Sequence, residues 1–396
     1  MRFGSLILGV PREIMEHEYR VSAIPETVKA FIAEGAHVLV ESGAGTASHH
    51  ADEAYRDVGA ELVADSDTIF ERSDIILKVK EPQFDSGRNR DEVEMMRRGQ
   101  TLVAFLHPAS PANHQMVRKL AVRGIVSFTL DGVPRITNAQ PMDALTSMST
   151  VAGYKSVIMA ADRLGCFMPL TNTAVGMLSP AQVFIVGAGV AGLQALATAK
   201  RLGSSNYATD IRPEAVEQAK SLRAQIVDPG VPPEIAVGAG GYAKGLPREW
   251  LVREQEAIRD VLRQSDIVIL SALVPGHIAP VIVSEDMVRD MKNGSVIVDI
   301  AIDQGGNCAL TEPGRTVLNH GVTIIGVKNI PGYVPQSASW LFAHNLFHFV
   351  SYLVEDGKVR ADRGDEIIGP TLVTLNGEVV HDGALEAMAQ CSEKKE

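Results

Sequence analysis

The amino-acid sequence predicts an α/β protein with two domains, each built around a parallel sheet. Three observations support this prediction. Strand-like apolar runs alternate with helix-like stretches along most of the chain, as is typical of parallel sheets covered by helices. A glycine-rich turn at residues 187–192 follows a strand and precedes a helix. The length of 396 residues suits two domains of ordinary size.

The composition is that of a globular protein, with 45% hydrophobic and 21% charged residues. The formal net charge of -11 argues against nucleic acid or an anionic membrane surface as a partner. Cys166, Cys308 and Cys391 lie far apart and show no metal-ligand spacing, so we expect no metal site and a reducing, cytoplasmic location. The apolar start MRFGSLILGV leads directly into PRE, and we interpret it as a first strand instead of a signal peptide. No apolar run is long enough to span a bilayer.

The first predicted domain begins with alternating strands and helices. A proline near the start of the first helix and Gly35 after it mark that helix, and Gly124 ends a later one. The predicted strands cover residues 6–10, 37–41, 74–79, 101–106 and 125–130, and the predicted helices cover residues 25–34, 53–58 and 113–122. A helix predicted at residues 143–161 is long enough to lead into a second domain.

The second predicted domain has the same alternation. Its strands are predicted at residues 183–186, 266–271, 295–300 and 323–326, and one helix at residues 212–222. Residues 229–245 are rich in Gly, Pro and Ala without periodicity, so we expect a mobile loop there. An apolar helix at residues 339–353 is expected to return the chain to the first domain, and the tail from Asp356 to form short strands and turns.

The glycine-rich turn lies in the sequence VFIVGAGVAGLQALATAK, which starts at Val183. Gly187 permits a tight turn, Gly189 lets the backbone approach a pyrophosphate, and Gly192 lets the helix pack on the strand. Asp210 follows about twenty residues later, where an acid binds the ribose hydroxyls of a dinucleotide. A glycine-rich turn in some other α/β unit is the alternative. An acid at that position favours NAD over NADP, but Arg212 two residues further leaves the preference open.

Polar residues also end several predicted strands, and ligands of open α/β sheets bind beyond those ends. Lys80 ends one strand, His107 ends the next, Asp303 follows a third, and Arg20 lies in the loop after the first strand. Together they could bind a carboxylate through Arg20, polarise a carbonyl through Lys80 and move a proton through His107. Taken singly, each residue is more simply interpreted as a surface charge, or as a strand-end histidine with a backbone hydrogen bond, and spacing alone does not decide between this and a catalytic role.

The chain resembles the alanine dehydrogenase / pyridine nucleotide transhydrogenase α-subunit family over nearly its full length. The motifs that carry the resemblance are GVPRE, EYR, VESGAG, ILKVKEP, PRITNAQPMDAL, VAGYKSV, GAGVAGLQALATAKRLG, GGYAK, LVPG and GSVIVDIAIDQGGNC. The resemblance implies two Rossmann-like domains with NAD in the cleft between them. Residues 1–144 and 329–396 would form the substrate (catalytic) domain, and residues 145–328 the NAD-binding domain.

Some of these motifs imply contacts to NAD or resemble the transhydrogenase branch. The implied cofactor-binding residues of the nucleotide motifs are Gly187, Gly189, Val190, Gly192, Asp210, Ile211, Tyr242 and Leu273. GGYAK resembles the mobile loop of transhydrogenases, in which Tyr242 would close over NAD. PRITNAQPMDALTS resembles the signature R-x-x-x-x-Q-x-x-D-x-x-S, which implies that Arg135, Gln140 and Asp143 place the nicotinamide. The departures from the transhydrogenase pattern are Thr146 for Ser and Asn138 for Arg.

Other motifs resemble the dehydrogenase branch. Arg20 and Lys80 match the positions that hold the carboxylate and carbonyl of a keto acid, His107 matches the acid/base, and Asp303 matches the aspartate near the reacting carbon. Transhydrogenase subunits usually have other residues in place of the last three. Hydride transfer between two nicotinamides needs none of these groups, and burying unpaired charges near a cofactor is costly. Their joint presence favours a dehydrogenase, whereas the wording of the whole chain is more similar to the transhydrogenase α subunit.

Three functions remain open from the sequence. The first is NAD-dependent oxidative deamination of an L-amino acid, or reductive amination of a 2-keto acid, by a homo-oligomer resembling alanine dehydrogenase. The second is the NAD(H)-binding α subunit of a proton-translocating NAD(P) transhydrogenase, peripheral to a membrane subunit and paired with an NADP-binding subunit. The third is a non-catalytic NAD sensor, against which Lys80 and His107 argue. The family suggests a hexamer for the first function and a dimer for the second.

Overall fold

An eight-stranded sheet and a seven-stranded sheet form the centres of two units. The computed structural model describes residues 1–238, 243–274 and 278–393. One unit comprises Met1–Met148 with Gly332–Glu396, and the other comprises Ser149–Pro331. Within the described part of the chain, no helix has both the length and the apolar character needed to cross a membrane.

The first stretch of the chain, up to residue 148, supplies most of the first unit. Its strands are β1 (Ile7–Val10), β2 (His37–Glu41), β3 (Glu61–Val63), β4 (Ile75–Leu77), β5 (Phe84–Asp85), β6 (Arg90–Asp91), β7 (Thr101–Ala104) and β8 (Val126–Thr129). Its helices are α1 (Pro25–Ala33), α2 (Asp52–Asp57), α3 (Ser66–Arg72), α4 (Glu92–Met95), α5 (His114–Arg123) and the start of α6 (Ala144–Arg163). Gly124 ends α5 in the left-handed region, at φ 75°, as its position in the sequence predicts.

The middle of the chain forms the second unit. Its strands are β9 (Thr171–Thr173), β10 (Gly176–Leu178), β11 (Gln182–Val186), β12 (Ser205–Thr209), β13 (Gln225–Ile226), β14 (Ile267–Leu270), β15 (Val296–Asp299), β16 (Thr316–Asn319) and β17 (Val322–Ile325). Its helices are α7 (Val190–Arg201), α8 (Pro213–Ser221), α9 (Pro233–Ala236), α10 (Arg248–Gln264) and α11 (Glu285–Arg289). The sheet order is β13-β12-β11-β14-β15-β17-β16, and β9 and β10 form a separate hairpin.

The last stretch returns to the first unit. Its elements are α12 (Pro335–Leu353), β18 (Val354–Glu355), β19 (Lys358–Val359), α13 (Ile368–Thr371), β20 (Leu372–Leu375), β21 (Glu378–Val379) and α14 (Asp382–Glu393). The first sheet has the order β21-β20-β8-β7-β4-β1-β2-β3. A side-chain hydrogen bond of 2.6 Å between Ser127 and Thr374 ties this return to the earlier chain.

Both faces of the second sheet are covered, because alternate side chains of its strands are buried in two separate apolar clusters. Val183 and Ile185 belong to one apolar cluster, whereas Phe184 and Val186 belong to another. Successive side chains of a strand point to opposite faces, so the two clusters lie on opposite sides of the sheet. Burial on both faces accounts for the continuous apolar runs from which these strands were predicted.

The structure confirms the α/β class and corrects three details. The sheets are mixed and mostly parallel, because β20, β21 and β16 pair antiparallel with their neighbours at the sheet edges. The predicted loop at 229–245 contains the short helix α9, although residues 239–242 lie outside the described part of the chain. The tail includes the twelve-residue helix α14, where only strands and turns were predicted.

Candidate functional site

The glycine-rich turn connects β11 to α7, and each of its three glycines has a different structural role. Gly187 has φ +89°, a conformation that side chains strongly disfavour. A Cβ on Gly192 would lie 1.9 Å from the carbonyl oxygen of Gly187, so the helix packs too closely for any side chain. At Gly189, just before α7 begins, the nearest atom to an added Cβ is Arg212 Nη2 at 3.7 Å, an ordinary contact, so packing within the protein does not require a glycine there. This arrangement fits a pyrophosphate at the helix N-terminus.

Gly153 was not singled out from the sequence, yet it supports the same turn. An added Cβ on Gly153 would lie 2.1 Å from the carbonyl oxygen of Ala191, at the start of α7. Gly153 therefore lets α6 pack directly against the first turn of α7. A glycine inside the helical motif VAGYKSV is the signal that could have indicated this packing.

Asp210 lies beyond the end of β12 and is 7% exposed. Its carboxylate accepts hydrogen bonds from the backbone amide of Ala188 at 2.8 Å and from Arg212, whose Nε and Nη2 lie 2.9 and 2.8 Å away. The pairing neutralises Asp210 locally and ties β12 to the glycine-rich turn. Of the other predicted cofactor residues, Val190 and Ile211 are half-buried and Leu273 is exposed, whereas Tyr242 lies outside the described residues.

A second carboxyl group that sequence analysis missed lies close to Asp210. Glu254 is 5% exposed on α10, on the same helix face as the buried Ile258 and Leu262. Burial, with a further contribution from the Asp210 carboxylate, raises the pKa of Glu254 from 4.5 to about 7. An acid at an apolar helical spacing is a visible sequence signal, but its proximity to Asp210 depends on the tertiary fold.

In the second unit, Asp303 lies in a 3-10 turn, Ile300–Gln304, that follows β15. The turn is held by buried Asp299, whose Oδ2 accepts hydrogen bonds from Asn307 N at 2.9 Å and from Cys308 N at 3.1 Å. Asp303 itself is exposed, and its Oδ2 lies 3.4 Å from the backbone amide of Asn329. The structure thus presents the Asp303 carboxylate to solvent on a rigidly supported turn.

In the first unit, His107 lies just beyond the end of β7 and pairs with Asp131. Its Nδ1 lies 2.8 Å from Asp131 Oδ1, and its backbone amide donates to Asp131 Oδ2 at 2.8 Å. Its ring stacks on Phe105, with the planes 3° apart. The His107 side chain is 42% exposed, whereas that of Asp131 is 19% exposed. The imidazole is therefore accessible to solvent, and the carboxylate that orients it is more buried.

Electrostatics favour the ionised form of this pair. Burial and Lys80 act to lower the pKa of His107, but the Asp131 carboxylate and its hydrogen bond outweigh them and raise that pKa. Burial likewise opposes ionisation of Asp131, but the charge and hydrogen bond of His107 lower the pKa of Asp131 to about 2. Asp131 accepts the Nδ1 proton, so Nε2 is the nitrogen available to exchange a proton with a ligand.

Lys80 and Arg20 lie in the same unit and are linked electrostatically. Lys80 is half-buried, and its ammonium lowers the pKa of both His107 and Glu18. The buried Arg20 donates from Nε to Glu18 Oε1 at 2.7 Å and from Nη2 to Glu18 Oε2 at 2.5 Å, while Nη1 contacts Met148 Sδ. The structure therefore brings Arg20, Lys80 and His107 into one region. The sequence predicts a substrate carboxylate as the partner of Arg20. The pairing of Arg20 with Glu18 was not predicted.

The residues of the transhydrogenase-like signature also belong to the first unit. Arg135 and Gln140 are exposed. Asp143 precedes α6, and its carboxylate accepts hydrogen bonds from the backbone amide of Thr146 at 2.8 Å and from the Thr146 hydroxyl at 2.7 Å. This is an N-terminal helix cap, and threonine supplies the hydroxyl that serine would supply. The departure at Thr146 therefore keeps the hydrogen bonding intact.

Comparison with known proteins places the chain in one family. Residues 9–152 match the family description "Alanine dehydrogenase/PNT, N-terminal domain", and residues 156–382 match "Alanine dehydrogenase/PNT, C-terminal domain". An NAD(P) transhydrogenase subunit alpha from Cereibacter sphaeroides is 40% identical over 96% of this chain and 70% of its own. Alanine dehydrogenase 2 from Staphylococcus aureus is 31% identical over 96% of each chain.

A solved structure agrees with the sequence comparison. The transhydrogenase from Sinorhizobium meliloti matches with a TM-score of 0.80 and 34% identity, over 95% of this chain and 99% of its own. Relatives of both branches are oxidoreductases, as their names state. The chain therefore belongs to the alanine dehydrogenase/PNT family of oxidoreductases.

Proposed function

We propose that the protein is an NAD-dependent amino acid dehydrogenase, which deaminates an L-amino acid oxidatively and aminates the 2-keto acid in reverse. The observation that carries this proposal is the His107–Asp131 pair, with 2.8 Å between Nδ1 and Oδ1, beside Lys80. A histidine oriented by a buried carboxylate is a general acid/base. Transfer of a hydride between two nicotinamides requires no such group.

The second unit would hold the cofactor through the turn between β11 and α7. Gly187, Gly189 and Gly192 shape the pyrophosphate position, and Asp210 would bind ribose hydroxyls. The resemblance adds contacts from Val190, Ile211, Leu273 and Tyr242. Bound NAD supplies the acceptor for the hydride from the substrate carbon.

The first unit would bind the substrate and move its proton. Lys80 would polarise the keto-acid carbonyl, and Arg20, oriented by its pairing with Glu18, would bind the carboxylate. His107 would take a proton through Nε2 during oxidation, because Asp131 stabilises the imidazolium that forms. By resemblance, Asp303 would handle the proton of the carbinolamine or imine.

The test is steady-state NADH formation from a panel of L-amino acids by the purified protein alone. We expect Lys80→Ala to lower kcat/KM about 10²–10³-fold, since it removes a charge aimed at the carbonyl. His107→Gln should lower kcat by about 10²–10⁴-fold, the usual contribution of a general base. Lys200→Ala, an exposed lysine of the second unit, is the matched control. Absence of turnover with every amino acid and keto acid tested would overturn the proposal.

A second candidate function is the NAD(H)-binding subunit of an NAD(P) transhydrogenase. It is favoured by the greater identity to a transhydrogenase subunit, 40%, than to an alanine dehydrogenase, 31%. The exposed Arg135 and Gln140 would then face the nicotinamide of a partner subunit. This function predicts no activity of the chain alone, and activity only with membrane and NADP-binding subunits. Gln140→Ala should then abolish hydride transfer between NADH and an NADP analogue.

We also propose that the protein forms a homo-oligomer. The hairpin of β9 and β10 and the residues just before it expose five large apolar side chains within twelve residues: Phe167, Leu170, Val175, Met177 and Leu178. Val175 is 99% exposed and Met177 is 65% exposed. Clustered apolar side chains on a protein surface are typical of an interface, and a second copy of this chain is the occupant that this proposal assigns.

A further inference from the structure

A buried charge cluster lies in the first unit, at residues to which no role has been assigned above. Lys78 is fully buried, and its Nζ lies 2.9 Å from Glu92 Oε1 and 3.3 Å from Glu13 Oε2. The side chains of both glutamates are 3% exposed. We call Glu13, Lys78 and Glu92 the buried triad.

Both glutamates of the triad also accept backbone amides from the segment that carries Lys80. Glu13 Oε1 accepts from Val79 N at 2.6 Å, and Glu92 Oε2 accepts from Gln83 N at 2.8 Å. The amide of Glu92 in turn donates to the carbonyl of Gln83 at 3.0 Å. Residues 79–83 are therefore anchored at both ends by carboxylates that share one lysine.

A buried group of three charged side chains is energetically unfavourable compared with an apolar interior. Moving three charges out of water costs more than packing apolar side chains of similar volume, unless every charge is paired and hydrogen-bonded. The cost is visible at Glu13, where burial raises the pKa to about 7, with Glu18 and Glu92 adding to the rise and Lys78 opposing it. Stability alone does not account for such an arrangement next to a catalytic lysine.

We propose that Glu13, Lys78 and Glu92 are positioning residues that fix Lys80 at the site where it polarises the substrate carbonyl. This proposal rests on the function proposed above for Lys80. The triad holds the backbone on both sides of Lys80, so the ammonium is presented in one position before substrate binds. Removal of either carboxylate frees one end of the segment and lets Lys80 move away from His107.

An amide cannot replace either carboxylate. Each glutamate faces two donors, the Lys78 ammonium and one backbone N–H. A glutamine has one acceptor oxygen and one amino group, so in either orientation it turns a donor toward a donor. Glu92→Gln and Glu13→Gln therefore each lose one anchor while the side-chain volume is kept. Glu61→Gln is the matched control, because Glu61 pairs with Arg72 at the surface of the same unit.

The experiment uses two readouts on the full chain. The first is the rate at which an amine-acylating reagent modifies Lys80 relative to the exposed Lys200, measured by peptide mass spectrometry on the free protein. We expect Glu92→Gln to raise that ratio at least about threefold, because the segment opens more often. The second readout is the KM for the keto acid, which should rise about tenfold with a smaller change in kcat, while the Kd for NADH stays unchanged.

The outcomes separate this proposal from the proposed function. If the wild-type protein lacks dehydrogenase activity, the proposed function fails, but the acylation ratio still tests whether the triad holds Lys80. An unchanged ratio in a folded Glu92→Gln variant overturns the positioning role. Glu13→Gln is the second variant to use if Glu92→Gln does not fold, since it removes the anchor at Val79 and leaves Glu92 paired with Lys78.

Discussion

His107 shows how one neighbour sets the chemistry of a residue. Asp131 raises the pKa of His107 against the opposing effects of burial and Lys80, and Glu81 adds a smaller rise. In Asp131→Asn the single amide oxygen can accept either the Nδ1 proton or the backbone amide of His107, and in both orientations the negative charge is gone, so the pKa of His107 falls. Oxidation of an amino acid requires neutral His107. We therefore expect the acidic limb of kcat/KM against pH to move to lower pH.

The measurement is a pH profile of amino acid oxidation for the wild type and Asp131→Asn. Asp162→Asn is a suitable control, because Asp162 is an exposed residue of the other unit. An acidic limb that stays in place in Asp131→Asn would contradict the role given to Asp131. A limb that moves to higher pH would contradict it as well.

Glu254 gives a second prediction, on the free energy of unfolding. Its folded pKa of about 7 exceeds its usual value of 4.5, so the folded protein keeps a proton that the unfolded chain has released. Stability from this group is complete below pH 4.5 and is lost as the pH rises to about 7. Glu254→Gln should remove about 2–3 kcal/mol of that pH dependence. Urea unfolding at pH 5 and pH 8 measures the difference.

The exposed Glu256 on the same helix provides the control for this experiment. Glu256→Gln should keep the wild-type dependence of stability on pH. If Glu254→Gln shows the wild-type slope too, then Glu254 is ionised in the folded protein near pH 5.

Single site residues were predictable where the rule about strand ends applied. The pairing of these residues with their neighbours was not predictable. Lys80 and His107 follow predicted strands, and the rule about strand ends points to both. The same rule points to Asp131, which directly follows the predicted strand at 125–130. The adjacency of β7 and β8, however, decides that its carboxylate turns to His107. Glu18 was missed because its pairing with Arg20 is a choice of rotamer that no spacing reveals.

At the scale of elements, the connection from β11 to α7 depends on separate glycines for packing and for ligand approach. A Cβ at Gly192 would lie 1.9 Å from Gly187 O, so Gly192→Ala should cost about 1–3 kcal/mol of stability. Gly189 has φ -74°, and an added Cβ would make only an ordinary contact with Arg212, so Gly189→Ala should leave stability nearly unchanged and weaken NADH binding.

Thermal unfolding and NADH fluorescence titration together test this pair of variants. The two alanine variants serve as controls for each other, since both add one methyl group to the same turn. If both variants lose the same amount of stability, then Gly189 also serves helix packing, and the two glycines do not have separate roles.

Strands and helices were predictable where burial of their side chains produced a clear apolar pattern in the sequence. Apolar runs located the central strands of both sheets, because those strands are buried on both faces. The hairpin of β9 and β10 was missed, because its short strands are largely exposed and carry no such run, whereas β19 to β21 agree with the short strands expected in the tail. The helix α14 did carry a signal, since the buried Ala384 and Met388 lie four residues apart, but its position in a polar tail concealed it.

At the scale of the whole molecule, the apolar hairpin is expected to decide the oligomeric state. Val175→Asp combined with Met177→Asp places two charges among exposed apolar side chains, and an interface that buries them would lose affinity. Light scattering after gel filtration should show a lower mass for this double variant. Val122→Asp changes a single valine that is 88% exposed on α5 and should leave the mass unchanged. A monomeric wild type would contradict the proposal.

The family was predictable from the whole chain, whereas the branch of the family was not. Long motifs such as GAGVAGLQALATAKRLG carry the resemblance to the family and indicate the fold and the glycine-rich turn. The branch depends on a few side chains, among them Lys80, His107 and Asp303, whose action on a substrate is a matter of chemistry and not of fold. Overall identity and local chemistry favour different branches in this chain.

The first unit is assembled from both ends of the chain, and this has a consequence for synthesis on the ribosome. The second unit is continuous, so all of its residues emerge before β20 does. Until then β8 has an unpaired edge, and the buried position of Val373 on β20 is vacant. A nascent chain with a finished second unit therefore still exposes a strand edge able to pair with another chain. The interval in which the second unit is complete while β8 lacks its partner ends only when β20 has left the ribosome, and we expect aggregation through this edge to be confined to that interval.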